Sequence, residues 1–497
     1  MPAAVPPDAS RPHPDQLRQT AGFVLAPLAF VAVWLAPVGL DPVAHRLAAV
    51  FALVVVLWIS EAIPLAATAL VGPALCVPLG IASAKDAFAE FGNPIIFLFL
   101  GSFVIAAAMR THGLDRRIAL FVLSRRWVGE SPTRILFAFG AIAALLSMWM
   151  SNTATTAMML PIGCGVLATL APQAGSPRAS YGTGLMLMIA YASSIGGIAT
   201  PVGTPPNLIA LGLIEELGGR RYSFLEWMSF GVPVSVVLFA ATFVLIRRLF
   251  RPPAVRLAGA ASTIRRERAA LGAMSAGERA VLTSFLLAVS LWTLPGLVTL
   301  AFGAAHPATL RIESLLPNEG PSAILAASVL FVLPVDWRAR RFALSWQEAA
   351  RVDWGTILLF GGGLSLGSLA FSTGLAGALG DRFLAATGDL PVLLLSLCGL
   401  FLANVMTEFM SNTATANLLV PMFLALAGVT TGDALLATVA VTIGCSLAFC
   451  FPVATPPNAI VYGSGLVPLT QMIRAGVWLD LGCGLLAWVV LAALIGG

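Results

Sequence analysis

Apolar stretches long enough to cross a bilayer recur along the whole chain, at about 22–40, 47–62, 63–82, 94–110, 182–212, 229–249, 280–304, 319–336, 355–376, 432–462 and 475–496. A helical span needs about 20 mostly apolar residues, so the pattern predicts eleven transmembrane helices. Two further apolar stretches, 132–170 and 389–427, are each interrupted near the middle by the tripeptide SNT (Ser151, Asn152, Thr153 and Ser411, Asn412, Thr413). Each of them fits two spans or one re-entrant hairpin.

Composition excludes a water-soluble globular protein. Of 497 residues, 58% are hydrophobic and 10% charged, against about 25% charged in soluble domains. No long polar stretch divides the chain, so residues 21–497 read as one membrane unit. Residues 1–20, rich in proline (Pro2, Pro6, Pro7, Pro12, Pro14) and without the continuous apolar core of a signal peptide, read as a disordered cytoplasmic tail. All six cysteines lie in apolar stretches without the spacing of a zinc or redox motif, which predicts buried thiols. The formal net charge of +5 carries topological information. With the N-terminus in the cytoplasm and both SNT stretches entering and leaving on one side, 22 of the 28 basic residues fall on the cytoplasmic side, as expected for a multi-pass protein of a bacterial inner membrane. Reading the SNT stretches as pairs of spans leaves that polarity unchanged.

The chain repeats itself. MSNTAT at 150–155 recurs at 410–415, PVGTPPN at 201–207 recurs as PVATPPN at 452–458, and Gly113-Leu114 is answered by Gly374-Leu375. Repeat 1 runs from about 47 to 250 and repeat 2 from about 280 to 497. Five predicted spans separate the two SNT sites, and an odd number of crossings turns the second copy over. Inverted repeats of this kind build carrier sites at the bilayer midplane. The first hairpin is expected to open from the cytoplasm and the second from outside.

Polar, irregular backbone at membrane depth is costly unless it is packed in protein or lines a wet cavity. Ser151 or Asn152 can cap the helix that follows, leaving amide groups and a positive dipole end at the turn, which attracts anions. Thr204 and Thr455 are suitable N-caps, with Pro205 and Pro456 as first helical residues. Each TPPN loop is therefore expected to split a span. The half before the break would end in free carbonyls suited to a cation such as sodium, and the half after it would begin with free amides suited to an anion. Ser147 and Thr407 stand one helical turn before each SNT.

The paired SNT motifs, with the run Ser446-x-x-Phe449-x-x-Pro452-Val453-Ala454-Thr455-Pro456-Pro457-Asn458, closely resemble the divalent anion:sodium symporter family, carriers of dicarboxylates, citrate or sulfate. The resemblance covers nearly the whole chain after residue 20. It implies an all-α polytopic homodimer, an inverted repeat with two re-entrant hairpins and two broken helices, working as an elevator. It further implies two co-transported sodium ions. The matching positions are Ser147, Ser151, Asn152 and Gly203 for one, and Thr407, Met410 through its backbone, Asn412 and Ala454 for the other. Implied substrate contacts are Ser151, Asn152, Thr153, Ser411, Asn412, Thr413 and Thr455. The sequence shows no appended soluble regulatory domain, which leans toward a C4-dicarboxylate such as succinate or malate. A sulfate or citrate symporter, or a sodium-independent exchanger, is the alternative.

A membrane enzyme would call for a His, Cys, Asp or Glu cluster at helical spacing, and none is visible; neither HExxH nor GxSxG occurs. A passive channel leaves the mirrored repeats without mechanical purpose. Glu61 and Glu408 are the carboxylates expected nearest membrane depth. Glu408 as a proton site is weighed against a structural role at the hairpin wall, which we favour; Glu61, near Pro64, reads as a turn at the inner interface. No organic cofactor and no nucleic-acid partner is expected.

Overall fold

A computed structural model describes residues 14–168, 177–254, 256–257, 259–387, 391–427 and 432–496. Among these, seven helices are long and apolar enough to cross a membrane unaided: Gln16–Leu35, Pro42–Ser60, Pro94–His112, Phe224–Leu249, Ala276–Phe302, Trp354–Ser372 and Leu469–Ile495. Two expected spans are shorter. The 63–82 stretch gives Leu65–Cys76, and the 319–336 stretch gives Glu319–Ser328 continued by one 3-10 turn, Val329–Phe331. The first helix begins at Pro14, so the last part of the expected tail is helical. Proline is well suited to a first helical turn, where its missing N–H is not needed, and Thr20 Oγ1 donates to the carbonyl of Gln16. Residues 1–13 lie outside the described residues.

Both SNT stretches fold as helix–turn–helix units, Pro132–Ser147 with Asn152–Leu167 and Val392–Thr407 with Asn412–Leu426. Both PV[GA]TPPN motifs interrupt a helix. The first separates Pro177–Gly197 from Pro205–Gly218, and the second separates Gly432–Gly444 from Pro456–Gly463. Thr204 and Thr455 are extended, with φ of −145° and −142°, and the proline after each restarts the helix at its first position. Gly113 and Gly374 both take positive φ, 71° and 78°. They turn the chain from the spans Pro94–His112 and Trp354–Ser372 into the helices Leu114–Leu123 and Leu375–Thr387.

The two repeats interlock. A Cβ on Gly101 would lie 2.6 Å from the carbonyl carbon of Ala323, and one on Gly362 would lie 2.1 Å from the carbonyl oxygen of Ala69. Gly101 and Gly362 hold equivalent places in the two repeats, so each repeat seats its Gly-bearing span against a short helix of the other. Without a hydrophobic drive in lipid, such close backbone approach through small residues is what holds helices together. The first helix turns Phe23, Val24, Leu25, Leu28, Val31 and Leu35 outward, a surface suited to lipid tails. Among the described residues, the regular structure is helical apart from one small antiparallel ribbon, Pro334–Asp336 with Arg341–Phe342. Of the cysteines, Cys76, Cys445, Cys450 and Cys483 are buried as expected; Cys164 is half-buried and Cys398 exposed.

Candidate functional site

The two SNT turns and the two broken-helix turns come together around one cavity of about 560 Å³. Ser151, Asn152, Thr153, Ser411, Asn412, Thr413 and Thr455 all line it, as do Gly203, Met410 and Ala454. Ser147 and Thr407 are fully buried behind it. Each meets the asparagine of its own turn: Ser147 Oγ donates to Asn152 Oδ1 at 2.6 Å, and Thr407 Oγ1 approaches Asn412 Oδ1 at 2.7 Å and the carbonyl of Cys445 at 2.9 Å. A larger cavity, about 830 Å³, opens between Leu225, Pro295 and Leu316 and carries none of the repeated motifs.

The capping differs between the copies. Ser151 accepts from the amide of Ala154 at 3.3 Å, and Thr455 from that of Asn458 at 3.4 Å. Ser411 and Thr204 occupy N-cap positions without a side-chain cap bond, so the Thr204 cap expected from the sequence does not form. The carbonyls before each break also differ from expectation, because they are not all free. Asn207 Nδ2 donates to the carbonyls of Gly197 and Thr200 at 2.9 and 2.8 Å, and Asn458 Nδ2 to those of Ala448 and Phe451 at 3.1 and 3.0 Å. The last residue of each TPPN thus staples the break that precedes it, and in the first copy also the last carbonyl of the half-helix. Its duplication was the signal in the sequence.

One compact set of oxygens could hold a cation. A Cβ on Gly197 would fall 2.5 Å from Asn152 Oδ1 and 3.1 Å from the carbonyl oxygen of Gly203. The asparagine oxygen, the Gly203 carbonyl and, behind them, the Ser147 hydroxyl therefore crowd around a place that only glycine leaves open. Oxygen donors suit a hard cation, and the Asn152 Nδ2 group, 3.2 Å from the same point, would suit an anion. The turns themselves offer hydroxyls, amides and helix N-termini, which suit an anion.

Glu408 is buried, and its carboxylate accepts from the amides of Phe449 at 2.6 Å, Cys450 at 2.9 Å and Phe451 at 3.1 Å. It ties the second hairpin to the break in the second broken helix, the structural role favoured from sequence. The first repeat makes the same tie with other chemistry, since Thr200 Oγ1 donates to the carbonyl of Met148. One cluster has no signature at helical spacing in the sequence. Glu408, Cys450 and Asp480 bring ligand-type atoms within 4.8 Å of one another, and Cys450 Sγ lies 2.8 Å from Asp480 Oδ2. Arg18, Gln19, Glu61, Asp353 and Thr356 join the cavity's lining, although no repeated motif places them there.

A profile of the family described as "Sodium:sulfate symporter transmembrane region" matches residues 18–496. This chain belongs to that family, the divalent anion:sodium symporters. It is 34% identical over 476 residues to the "Sodium-dependent dicarboxylate transporter SdcS" of Staphylococcus saprophyticus, covering 93% of this chain and 89% of the relative. The same holds for the protein of that name from Staphylococcus aureus strain RF122, 34% identical over 477 residues, covering 94% and 85%. Among solved structures, the crystal structure of the Alcanivorax borkumensis YdaH transporter superposes with a TM-score of 0.56 over 98% of both chains at 18% identity, a likeness of fold. The protein is a sodium-coupled membrane transporter and not an enzyme.

Proposed function

We propose that this family member carries a C4-dicarboxylate such as succinate or malate, together with at least two sodium ions, across the bacterial inner membrane. The observation that carries the reading is the meeting of both SNT turns and both TPPN turns at one cavity. Sodium-dependent dicarboxylate transport is what the two staphylococcal relatives are named for, and they align along nearly the whole chain. Thr153 and Thr413, from opposite repeats, would hold opposite ends of the dianion. Asn152 and Asn412 would each use the amide oxygen for sodium and the nitrogen for a carboxylate. Co-bound sodium would supply the positive charge that these turns lack, limiting the cost of a dianion in a low-dielectric site.

In this reading the hairpins are re-entrant. A helix of sixteen residues, the length of Pro132–Ser147 and Val392–Thr407, extends about 24 Å at 1.5 Å per residue, short of a hydrocarbon core of about 30 Å. The hairpins and broken helices would slide as an elevator against a scaffold, within a homodimer, with the N-terminus cytoplasmic. Uptake of labelled succinate into proteoliposomes, with and without an inward sodium gradient, tests the function. Sodium-driven uptake inhibited by malate is expected. Inhibition by sulfate but not by malate would make the protein a sulfate carrier, and equal uptake in choline would make it an exchanger.

A further inference from the structure

The hairpin turns hold no basic side chain, yet one arginine lines their cavity. Arg18, on the first helix, places Nη2 3.2 Å from Glu61 Oε2 and Nη1 3.5 Å from the carbonyl oxygen of Phe409. Phe409 precedes Ser411 by two residues, so the guanidinium sits beside the second SNT turn. Three charged residues line the cavity, Arg18, Glu61 and Asp353. Without Arg18 the lining would hold only the two acidic ones, and a dianion would be repelled. Asp353 is held by its own helix, accepting from the Thr356 amide at 3.2 Å and hydroxyl at 2.6 Å. Glu61 ends the helix Pro42–Ser60 in a left-handed conformation, φ 49°, a geometry that a non-glycine residue rarely takes without surrounding constraint.

We propose that Arg18 is a substrate-contacting residue: its guanidinium turns from Glu61 to the outer carboxylate of a dianion held at the SNT turns. The proposal rests on the reading of this cavity as the anion site. An arginine fork matches a carboxylate or a sulfate geometrically. Its pair with Glu61 is half-exposed, and such pairs are weak enough to exchange partners. Glu61 then acts as the counter-ion that keeps the guanidinium in place while the cavity holds no anion, and it competes with the substrate for it.

Equilibrium binding to purified protein at saturating sodium tests this, with labelled succinate and labelled sulfate each as probe. The preferred anion of the wild-type protein tests the proposed function, and the ratios among variants test Arg18, whichever dianion is preferred. Arg18→Gln is expected to weaken dianion binding about tenfold, Arg18→Lys by less, and Glu61→Gln to tighten it. The Arg18→Gln defect should shrink as potassium chloride is raised, because screening weakens both the lost attraction and the acidic repulsion. Succinamate, with one carboxylate, should show a smaller defect than succinate. A monodisperse elution profile and an unchanged melting temperature show that each variant is folded. Arg18→Gln and Glu61→Gln shifting binding in the same direction would make the pair a structural tie and overturn the proposal, as would unchanged affinity in Arg18→Gln.

Discussion

Ser147 and Thr407 are single side chains, fully buried behind the cavity wall, that the proposed reading makes part of the site. Each hydroxyl meets the asparagine oxygen that, in the proposed reading, would face a sodium ion, and it keeps two lone pairs of its own with which it could ligate that ion. Ser147→Ala or Thr407→Ala is therefore expected to raise the sodium activation constant first. The substrate defect should be secondary and partly rescued at high sodium, as a titration of uptake against sodium at several succinate concentrations will show. Thr153→Ala or Thr413→Ala should instead raise the succinate constant at constant sodium. Losing one hydrogen bond to a charged group, about 1.5–3 kcal/mol, corresponds to about tenfold or more. Gly197→Ala is expected to raise the sodium constant sharply, because its Cβ would intrude on Asn152 Oδ1; at the equivalent place in the second repeat the chain already carries Ala448. The candidate residues were legible because the motif occurs twice. Arg18 was not, because nothing in a lone arginine near the N-terminus tells that it folds back over a turn almost four hundred residues later.

At the scale of elements, the breaks in the two broken helices are held open by side chains rather than left loose. Asn207 is fully buried and donates to the carbonyls of Gly197, the last residue of the preceding half-helix, and of Thr200 in the break, while Asn458 donates to two carbonyls of its own break, those of Ala448 and Phe451. Leaving a buried carbonyl without a donor costs about 1–3 kcal/mol. Asn207→Leu and Asn458→Leu are thus expected to lower the melting temperature of the purified protein by several degrees. Glu408→Gln distinguishes two roles. The amide nitrogen of glutamine would face an N–H that the carboxylate now accepts, most directly that of Phe451. Loss of thermal stability is expected, and sodium-driven uptake should fall in proportion to folded protein at every pH. Full stability with an altered pH profile of uptake would instead make Glu408 a proton carrier. The helix breaks themselves were readable from Thr-Pro-Pro. The staples were not, since the partners of Glu408 lie 41 to 43 positions along the chain and local pattern carries no such information.

For the whole molecule, the sequence predicted the helical class, the duplication and the places where spans break, because a bilayer imposes length and polarity rules that a single chain displays openly. It did not predict how the halves fit. Gly101 on one repeat receives Ala323 of the other, and Gly362 receives Ala69, so neither half contains its own packing partner. A chain cut in the loop at 250–254 is expected to give two halves that are inactive when expressed singly. Co-expressed, they should recover sodium-driven uptake, measured in membrane vesicles. Activity in either half alone would show that the interlock is dispensable.

That interlock also bears on how the protein is made. When Gly101 leaves the ribosome, the helix that will cover it has yet to be translated. At about 5–20 residues per second, the roughly two hundred intervening residues take on the order of 10 to 40 s. Through that interval the first half is expected to sit in the bilayer with the faces of Pro94–His112 and Leu65–Cys76 that the second half later covers left open to lipid. The second half closes both in turn, first with Glu319–Phe331 and then with Trp354–Ser372. Newborn chains stalled before residue 319 should therefore be open to membrane proteases and to promiscuous pairing, and they become resistant only when the last of these helices is inserted.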